Sequence, residues 1–284
     1  MDGTGPRTTG GGRTPLDLSV YLITDTGQCG AFGVPATVAA AVAAGVTVVQ
    51  LRDPDADDAD LVVLGRALVA ELAGTGVPLL VNDRVHLVEA IGADGAHVGQ
   101  GDADVLEARG LLGPHAYLGL SVQTASHVQV ATALPVDALD YLGVGPVWPT
   151  GSKPDAAPAS GLERLRELSA ASPWPCVAIG GITVDRVAAV AATGAAGVAV
   201  ISAICGQPDV GAAARALRAA WDGAVGVGPG AVGPDGPGPA GAGAAGVGPV
   251  GAAAGGVGAP RSATGDPTPR FGSRGAVPTQ RFVL

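Results

Sequence analysis

Two aspartates each follow a short apolar run, at comparable places in the chain. Asp83 comes just after the run that ends at Val81, and Asp102 comes just after the run that ends at Val98. Mg²⁺ prefers hard oxygen ligands, usually one or two carboxylates completed by water and substrate phosphates. If both runs are strands of one parallel sheet, their carboxylates lie at the same edge and predict a magnesium site. Each aspartate taken alone could instead cap the helix that follows it.

A cation that could bind phosphate follows another apolar run. Arg52 stands where the second run ends, and its planar guanidinium could donate two parallel hydrogen bonds to a phosphate group. A surface ion pair with Asp55, Asp57 or Asp58 explains this arginine at least as well.

Lys153 is the single lysine of a chain with 16 basic residues. It lies in a segment rich in Gly and Pro that also contains Thr150 and Ser152. Because arginine serves everywhere else as the cation, this lysine predicts a position that requires a compact ammonium group. Thr150 and Ser152 could donate hydroxyl hydrogen bonds to the same phosphate, and chance retention of the lysine is the alternative.

Two later segments predict a phosphate site made largely by the backbone. Gly180 and Gly181 follow the seventh apolar run, Ile201 ends the eighth, and Ser202 directly follows it. In many (β/α)₈ barrels the loops after these two strands bind phosphate through free amides. Glycine allows the backbone to approach such a ligand closely.

Ser121 and His97 are less informative. Ser121 directly follows the fifth run, where its hydroxyl could equally contact a ligand or cap the next helix. His97 lies inside the fourth run and is expected to be an interior or rim residue. The four histidines share no spacing, so no role is predicted for any of them.

The elements that must position these residues are eight short apolar runs that alternate with eight helical patterns. Nearly continuous apolar character is typical of strands covered on both faces. The regular alternation favours an α/β fold, a (β/α)₈ TIM barrel, over a doubly wound open sheet. The predicted strands cover residues 18–24, 46–51, 78–81, 95–98, 116–120, 140–144, 176–179 and 197–201, and the predicted helices lie near 35–44, 57–73, 84–91, 103–112, 123–133, 161–171, 183–193 and 209–221.

Composition divides the chain into three parts. Residues 223–284 hold 18 Gly and 9 Pro in 62 positions, which is too little apolar surface to offset the entropy of ordering them. We therefore predict a disordered C-terminal tail over 223–284, a disordered N-terminal arm over 1–15 and a barrel domain over 16–222.

Charge and cysteine content exclude several classes of protein. Residues 16–222 carry a formal charge of −12, which argues against a nucleic-acid surface. The three cysteines show neither metal-ligand spacing nor an even-numbered disulfide framework. No run reaches transmembrane length, and the N-terminal segment lacks the apolar core of a signal peptide. We expect a cytoplasmic protein with phosphorylated small-molecule partners, no nucleic acid and no membrane, and leave a homo-oligomer open.

Six motifs, in order over about residues 18–221, resemble those of the thiamine-phosphate synthase family. They are Tyr21-Leu22-Ile23-Thr24-Asp25, Val49-Gln50-Leu51-Arg52, Val81-Asn82-Asp83-Arg84, Gly92-Ala93-Asp94-Gly95-Ala96-His97-Val98-Gly99-Gln100, Gly143-Val144-Gly145-Pro146-Val147 on to Lys153, and Ala178-Ile179-Gly180-Gly181-Ile182.

The resemblance implies a Mg²⁺-dependent transferase of alkyl or aryl groups. It would join 4-amino-2-methyl-5-hydroxymethylpyrimidine diphosphate to 4-methyl-5-(2-phosphooxyethyl)thiazole and release thiamine phosphate and diphosphate. The implied residues are Asp83 and Asp102 for Mg²⁺, Gln50, Arg52, Asn82, Ser121 and Lys153 for the pyrimidine diphosphate, and Thr150, Ser152, Gly181, Ile201 and Ser202 for the thiazole phosphate. Arg52, Ser121 and Lys153 would act in catalysis.

One residue departs from the family pattern. Pro54 stands where the family usually has lysine, and a missing charge-assisted bond would weaken diphosphate binding by ~1–3 kcal/mol. Arg84 or a tighter metal site could compensate.

Three other functions stay open on the sequence alone. Lys153 could form a Schiff base in an aldolase-type lyase. A thiazole tautomerase shares the fold, although we expect it to lack the paired aspartates. The chain could also bind a phosphorylated ligand without catalysis.

Overall fold

A computed structural model describes residues 13–102, 104–152 and 157–226. Within these ranges eight parallel strands close into a barrel, each beside its neighbour in the chain, with β8 returning to β1. This confirms the predicted (β/α)₈ barrel and excludes the open sheet. The strands are β1 (Val20–Ile23), β2 (Val48–Leu51), β3 (Leu79–Asn82), β4 (Gly95–Val98), β5 (Tyr117–Val122), β6 (Tyr141–Val144), β7 (Cys176–Ile179) and β8 (Gly197–Val200).

The helices surround the barrel in chain order. In the described residues they are α1 (Thr26–Cys29), α2 (Val34–Val42), α3 (Asp58–Leu72), α4 (Val88–Ile91), α5 (Val105–Leu112), α6 (Ala125–Thr132), α7 (Gly161–Ala171), α8 (Val187–Ala191) and α9 (Val210–Gly226), with 3₁₀ helices at Gly30–Phe32, Val85–Leu87 and Val184–Arg186. Two predicted helices, near 84–91 and 183–193, each begin with a 3₁₀ turn. The short α1 was not predicted, because its four residues carry no apolar period. No helix in this part of the chain has the length and apolar character needed to cross a bilayer.

Strand residues alternate between two apolar layers. In β1, Val20 and Leu22 belong to the layer between barrel and helices, whereas Tyr21 and Ile23 belong to the barrel interior. This follows from the period of two residues along a strand, and it fills the barrel with side chains rather than leaving a channel. The interior layer consists of Leu18, Tyr21, Ile23, Val48, Leu80, Tyr141, Val177 and Ala199.

The N-terminal boundary differs from the prediction. Arg13 is buried, and its Nε lies 2.7 Å from Oδ1 of Asp140. Asp140 also accepts from Nη2 of Arg109 at 3.1 Å and from the amide of Leu118 at 2.8 Å. The predicted disordered arm over 1–15 is therefore wrong for residues 13–15, because a buried ion pair holds Arg13 against the barrel.

The C-terminal boundary also shifts. Helix α9 continues to Gly226, four residues beyond the predicted domain end, and its Trp221 is buried. Residues 1–12 of the predicted arm and 227–284 of the predicted tail lie outside the described residues.

Candidate active site

A pocket of about 1090 Å³, counting the part open to solvent, lies at the carboxyl ends of the strands. Every strand of the barrel contributes at or just beyond its end, as expected for this fold. One lining residue from each of β1 to β8 or the loop that follows it is Ile23, Gln50, Asn82, His97, Ser121, Gly145, Ile179 and Ile201.

The pocket brings together nearly all of the substrate-binding residues predicted from the sequence. Those assigned to the pyrimidine diphosphate line one part of the wall, and those assigned to the thiazole phosphate line another. The lining members are Gln50, Arg52, Asn82 and Ser121 for the first set, and Thr150, Ser152, Gly181, Ile201 and Ser202 for the second. Lys153 lies outside the described residues. The individual roles of these residues stay predictions.

Arg52 faces the pocket and not the acidic loop that follows it. Its side chain is 14% exposed, and its Nη1 lies 3.5 Å from Oδ2 of Asp25. The backbone of Arg52 exchanges hydrogen bonds with the hydroxyl of Thr24, which anchors the end of β2. Asp57 instead caps α3, and Asp58 contacts Arg84. The alternative of a surface ion pair with these aspartates is therefore wrong.

Asp83 stands immediately after β3 in an unusual backbone conformation. Its φ is 59°, in the left-handed region that few residues other than glycine adopt, although aspartate tolerates it better than most. Its amide donates to the carbonyl of His97 at 2.8 Å, and its Oδ2 accepts from Nδ2 of Asn82 at 2.6 Å. No side chain caps the 3₁₀ helix Val85–Leu87 in the described structure, so Asp83 is not a helix cap.

Asp102 follows β4 and is not a helix cap either. Its Oδ2 accepts from the amide of Gly99 at 2.7 Å. Asp104 caps α5 instead, with its Oδ1 accepting from Leu106 and Glu107. The sequence places the helix start two residues early, because either aspartate satisfies the capping pattern.

The two predicted metal ligands sit at the same end of the barrel but are not among the residues that line the pocket. In the described ranges, no group of three or more His, Cys, Asp or Glu could enclose a metal. The side-chain amide of Asn82 donates to Asp83, and the backbone amide of Gly99 donates to Asp102. Two carboxylates fit a Mg²⁺ ion that takes its remaining ligands from water and substrate phosphate. They do not form a closed protein cage around the ion.

Ser121 lies inside β5, and Thr124 caps the following helix α6 through the amide of His127 at 3.2 Å. The capping alternative for Ser121 is therefore wrong. Its Oγ instead lies 2.9 Å from Nε2 of His97. The sequence predicted no role for this histidine, so the contact is one that sequence reasoning missed.

His97 belongs to a chain of hydrogen bonds across the barrel interior. Its Nδ1 lies 2.8 Å from Oη of Tyr141, which lies 2.8 Å from Oη of Tyr21, and Nε2 of Gln50 donates to Tyr21 at 2.7 Å. Burial raises the pKa of both tyrosines, so both phenols keep their protons. We call Gln50, Tyr21, Tyr141, His97 and Ser121 the polar relay.

The loops after β6 and β7 touch closely beside the predicted thiazole-phosphate residues. Gly181 has a φ of 62°, and a Cβ there would lie 2.7 Å from the carbonyl oxygen of Pro149. Arg186 donates to the carbonyl of Gly181, and its Cζ lies 4.8 Å from the centre of the Trp148 ring. Arg186 follows the loop on a 3₁₀ helix, so no pattern in the sequence marked it as a site residue.

Arg84 is held away from the pocket. Its Nη1 lies 3.2 Å from Oδ1 of Asp58, and its Nη2 donates to the carbonyl of Ala56 at 2.7 Å. Neither Arg84 nor Pro54 lines the pocket. Arg84 therefore does not replace the missing lysine in this structure.

Comparison with known proteins gives a consistent result. Residues 20–204 match the family model described as thiamine monophosphate synthase. The chain is 46% identical over 204 residues to a thiamine-phosphate synthase of Azorhizobium caulinodans, covering 72% of this chain and 95% of that protein. It is 48% identical over 206 residues to one of Xanthobacter autotrophicus, covering 72% and 96%.

Solved structures agree. A thiamine phosphate pyrophosphorylase from Pyrococcus furiosus has a TM-score of 0.66 and 32% identity, with 74% of this chain and 98% of that chain covered. The likeness to a 3-hexulose-6-phosphate synthase, at 19% identity and a TM-score of 0.52, shows the fold alone.

Proposed function

Since this chain belongs to the thiamine monophosphate synthase family, we propose that its barrel pocket makes thiamine phosphate and requires Mg²⁺. The two substrates are the pyrimidine diphosphate and the thiazole phosphate named above, and the products are thiamine phosphate and diphosphate. The thiazole nitrogen forms the new bond to the pyrimidine methylene carbon, and the bond from that carbon to the diphosphate oxygen breaks. The chain is thus a transferase.

One observation carries the proposal: a single pocket holds residues suited to both substrates. Gln50 and Asn82 come from β2 and β3, and Arg52 directly follows β2, whereas Thr150 and Gly181 come from the loops after β6 and β7. The two groups face each other across the barrel mouth, so both reactants can be held at once. Holding two reactants in a fixed orientation removes much of the entropic barrier of a bimolecular reaction.

The residues of the pocket suit a reaction in which a diphosphate leaves. The guanidinium of Arg52 can donate to its oxygens, and the Ser121 hydroxyl can donate a further hydrogen bond. Mg²⁺ bound at Asp83 and Asp102 would neutralise part of the charge that the leaving group gains. Apolar walls that include Ile23 reduce access of water to the reacting carbon.

The direct test is to mix the purified full chain with Mg²⁺ and both substrates and to measure thiamine phosphate. Asp83→Asn should lower kcat/KM on the order of 100-fold, which corresponds to about 2.7 kcal/mol of lost charge stabilisation. Asp57→Asn is the matched control, because it removes the same charge at the N-terminus of α3, away from the predicted metal ligands, and asparagine caps a helix equally well. Activity unchanged by EDTA would remove the metal from the proposal, and no product from the wild type would remove the function.

The proposed setting is the cytoplasm, with phosphorylated small molecules as partners. A formal charge of −12 over residues 16–222 supports the absence of a nucleic-acid partner, because binding a long phosphate backbone requires an extended basic surface.

A further inference from the structure

We propose that the polar relay is a positioning device for the Ser121 hydroxyl. It holds His97 in the neutral tautomer that carries its proton on Nε2, so that the Ser121 O–H is turned into the pocket as a donor to the pyrimidine diphosphate. This proposal rests on the proposed function for its substrate. Tyr21, Tyr141 and His97 are positioning residues in it, since they act through Ser121.

The relay joins two pocket residues that belong to different strands. Gln50 on β2 and Ser121 on β5 stand at its ends, and Tyr21, Tyr141 and His97 connect them from β1, β6 and β4. All four bonds measure between 2.7 and 2.9 Å. The orientation of one end is therefore coupled to that of the other through an unbroken series of contacts.

Because the polar groups of the relay are buried, each of them needs a hydrogen-bond partner within the protein. Gln50, Tyr21 and Tyr141 are at most 2% exposed, and His97 is 8% exposed. Water therefore cannot readily replace a missing partner, and a buried polar group without one costs free energy. The two phenols must each donate and accept within the relay.

The direction of the donors follows from Gln50. Its Nε2 can only donate, so Tyr21 accepts from it and must pass its own proton toward Tyr141. Tyr141 in turn donates to Nδ1 of His97, which leaves the histidine proton on Nε2, facing Ser121. Ser121 then accepts from His97, and its own proton is available to a ligand.

The neighbouring strands leave room for the rings of the relay. A Cβ at Gly119 on β5 would overlap the Tyr141 ring and lie 2.5 Å from Nδ1 of His97. A Cβ at Gly143 on β6 would lie 3.0 Å from Cε1 of His97. Because Gly119 and Gly143 have no side chains, the rings of Tyr141 and His97 fit into the space beside them. The barrel interior therefore accommodates these polar groups.

The tautomer of His97 is the most direct test, and it needs no substrate. We expect ¹⁵N spectra of the wild type at neutral pH to show the Nε2-protonated form, with the His97 signal assigned by comparison with His97→Gln. A reversed amide of Gln50 would reverse every bond of the relay and protonate Nδ1 instead. Observation of that tautomer would overturn the proposal.

Tyr141→Phe tests the effect on catalysis, because it keeps the ring and removes the hydroxyl. The variant should show mixed tautomers of His97 and a kcat about 10-fold lower, the size of effect that one lost hydrogen bond produces. A double-mutant cycle separates positioning from general loss of structure. If the relay acts through Ser121, adding Tyr141→Phe to Ser121→Ala should lower kcat by a further factor of less than 2. A double variant whose loss of kcat equals the product of the two single losses would overturn the proposal.

A conservative pair at His97 provides an independent check. The amide nitrogen of glutamine can reach the place of Nε2 and still donate to Ser121, whereas that of asparagine is too short. His97→Gln should be about 5-fold more active than His97→Asn, because it keeps the donor, and equal activity at equal melting temperature would contradict the relay. A wild type without activity but with the expected tautomer refutes the proposed function and leaves the relay geometry standing.

Discussion

The guanidinium of Arg186 lies over the indole ring of Trp148, with 4.8 Å between Cζ and the ring centroid. This contact joins the loop after β7 to the loop after β6, and Arg186 also donates to the carbonyl of Gly181. The two loops carry Thr150, Ser152 and Gly181, which line the pocket. One cation outside the pocket wall thereby holds both sides of the predicted thiazole-phosphate site.

We expect Arg186→Leu to raise the KM for the thiazole phosphate about 10-fold and to leave the KM for the pyrimidine diphosphate within 2-fold. The expected size combines a cation–π contact with one charge-assisted hydrogen bond. Steady-state kinetics with each substrate varied in turn measures the effect. Arg164→Leu is the control, since Arg164 forms an exposed pair with Glu167 on α7. Equal changes in both KM values would contradict a local role.

Asp140→Asn should destabilise the fold by about 3–5 kcal/mol, because it removes the buried carboxylate that pairs with both Arg13 and Arg109. Urea denaturation followed by circular dichroism gives the change in the free energy of unfolding. The matched control is Asp222→Asn, which breaks an exposed pair with Arg218 and should cost about 1 kcal/mol or less. A similar loss in both variants would show that the buried pair contributes little.

Pro54→Lys should lower the KM for the pyrimidine diphosphate about 5- to 10-fold, because it returns a cation to an exposed position two residues after Arg52. Ala59→Lys adds the same charge at an exposed position on α3 and controls for net charge. The KM of both variants is measured at low and high salt, since a cation that binds diphosphate loses its advantage as salt rises. An unchanged KM would show that a cation at this position does not contribute to binding of the pyrimidine diphosphate.

Truncation of the C-terminal segment should be tolerated only up to the end of α9. A chain that ends at Gly226 should keep kcat/KM within about 2-fold, whereas one that ends at Ala220 removes the buried Trp221. Loss of a buried tryptophan side chain costs about 3–5 kcal/mol, so the shorter chain should melt well below the longer one. Thermal denaturation of both, with activity at low temperature, measures the difference. Equal melting temperatures would show that Trp221 does not anchor the helix.

The barrel and most of its pocket could be predicted from the sequence because their signals are local. Each strand is a short apolar run covered on both faces, and polar residues directly after a run lie at the carboxyl end of the sheet. Arg52, Asn82, Ser121 and Ser202 were predicted at strand ends by this rule and line the pocket, whereas Asp83 and Asp102 were predicted by the same rule and do not line it. The helix starts were less exact, since Asp102 and Asp104 satisfy the capping pattern equally well and only Asp104 caps α5.

Contacts between distant parts of the chain required the tertiary structure. Tyr21 and Tyr141 are 120 residues apart, and Arg13 and Asp140 are 127 apart. The two phenols meet only because the sheet closes and turns both side chains toward the same interior. Apolar runs and caps report on the neighbours of a residue along the chain, so the sequence by itself determined the strands, their order and the residues at their ends. Which interior side chains touch depends on barrel closure and strand register, and these were decided only by the folded structure.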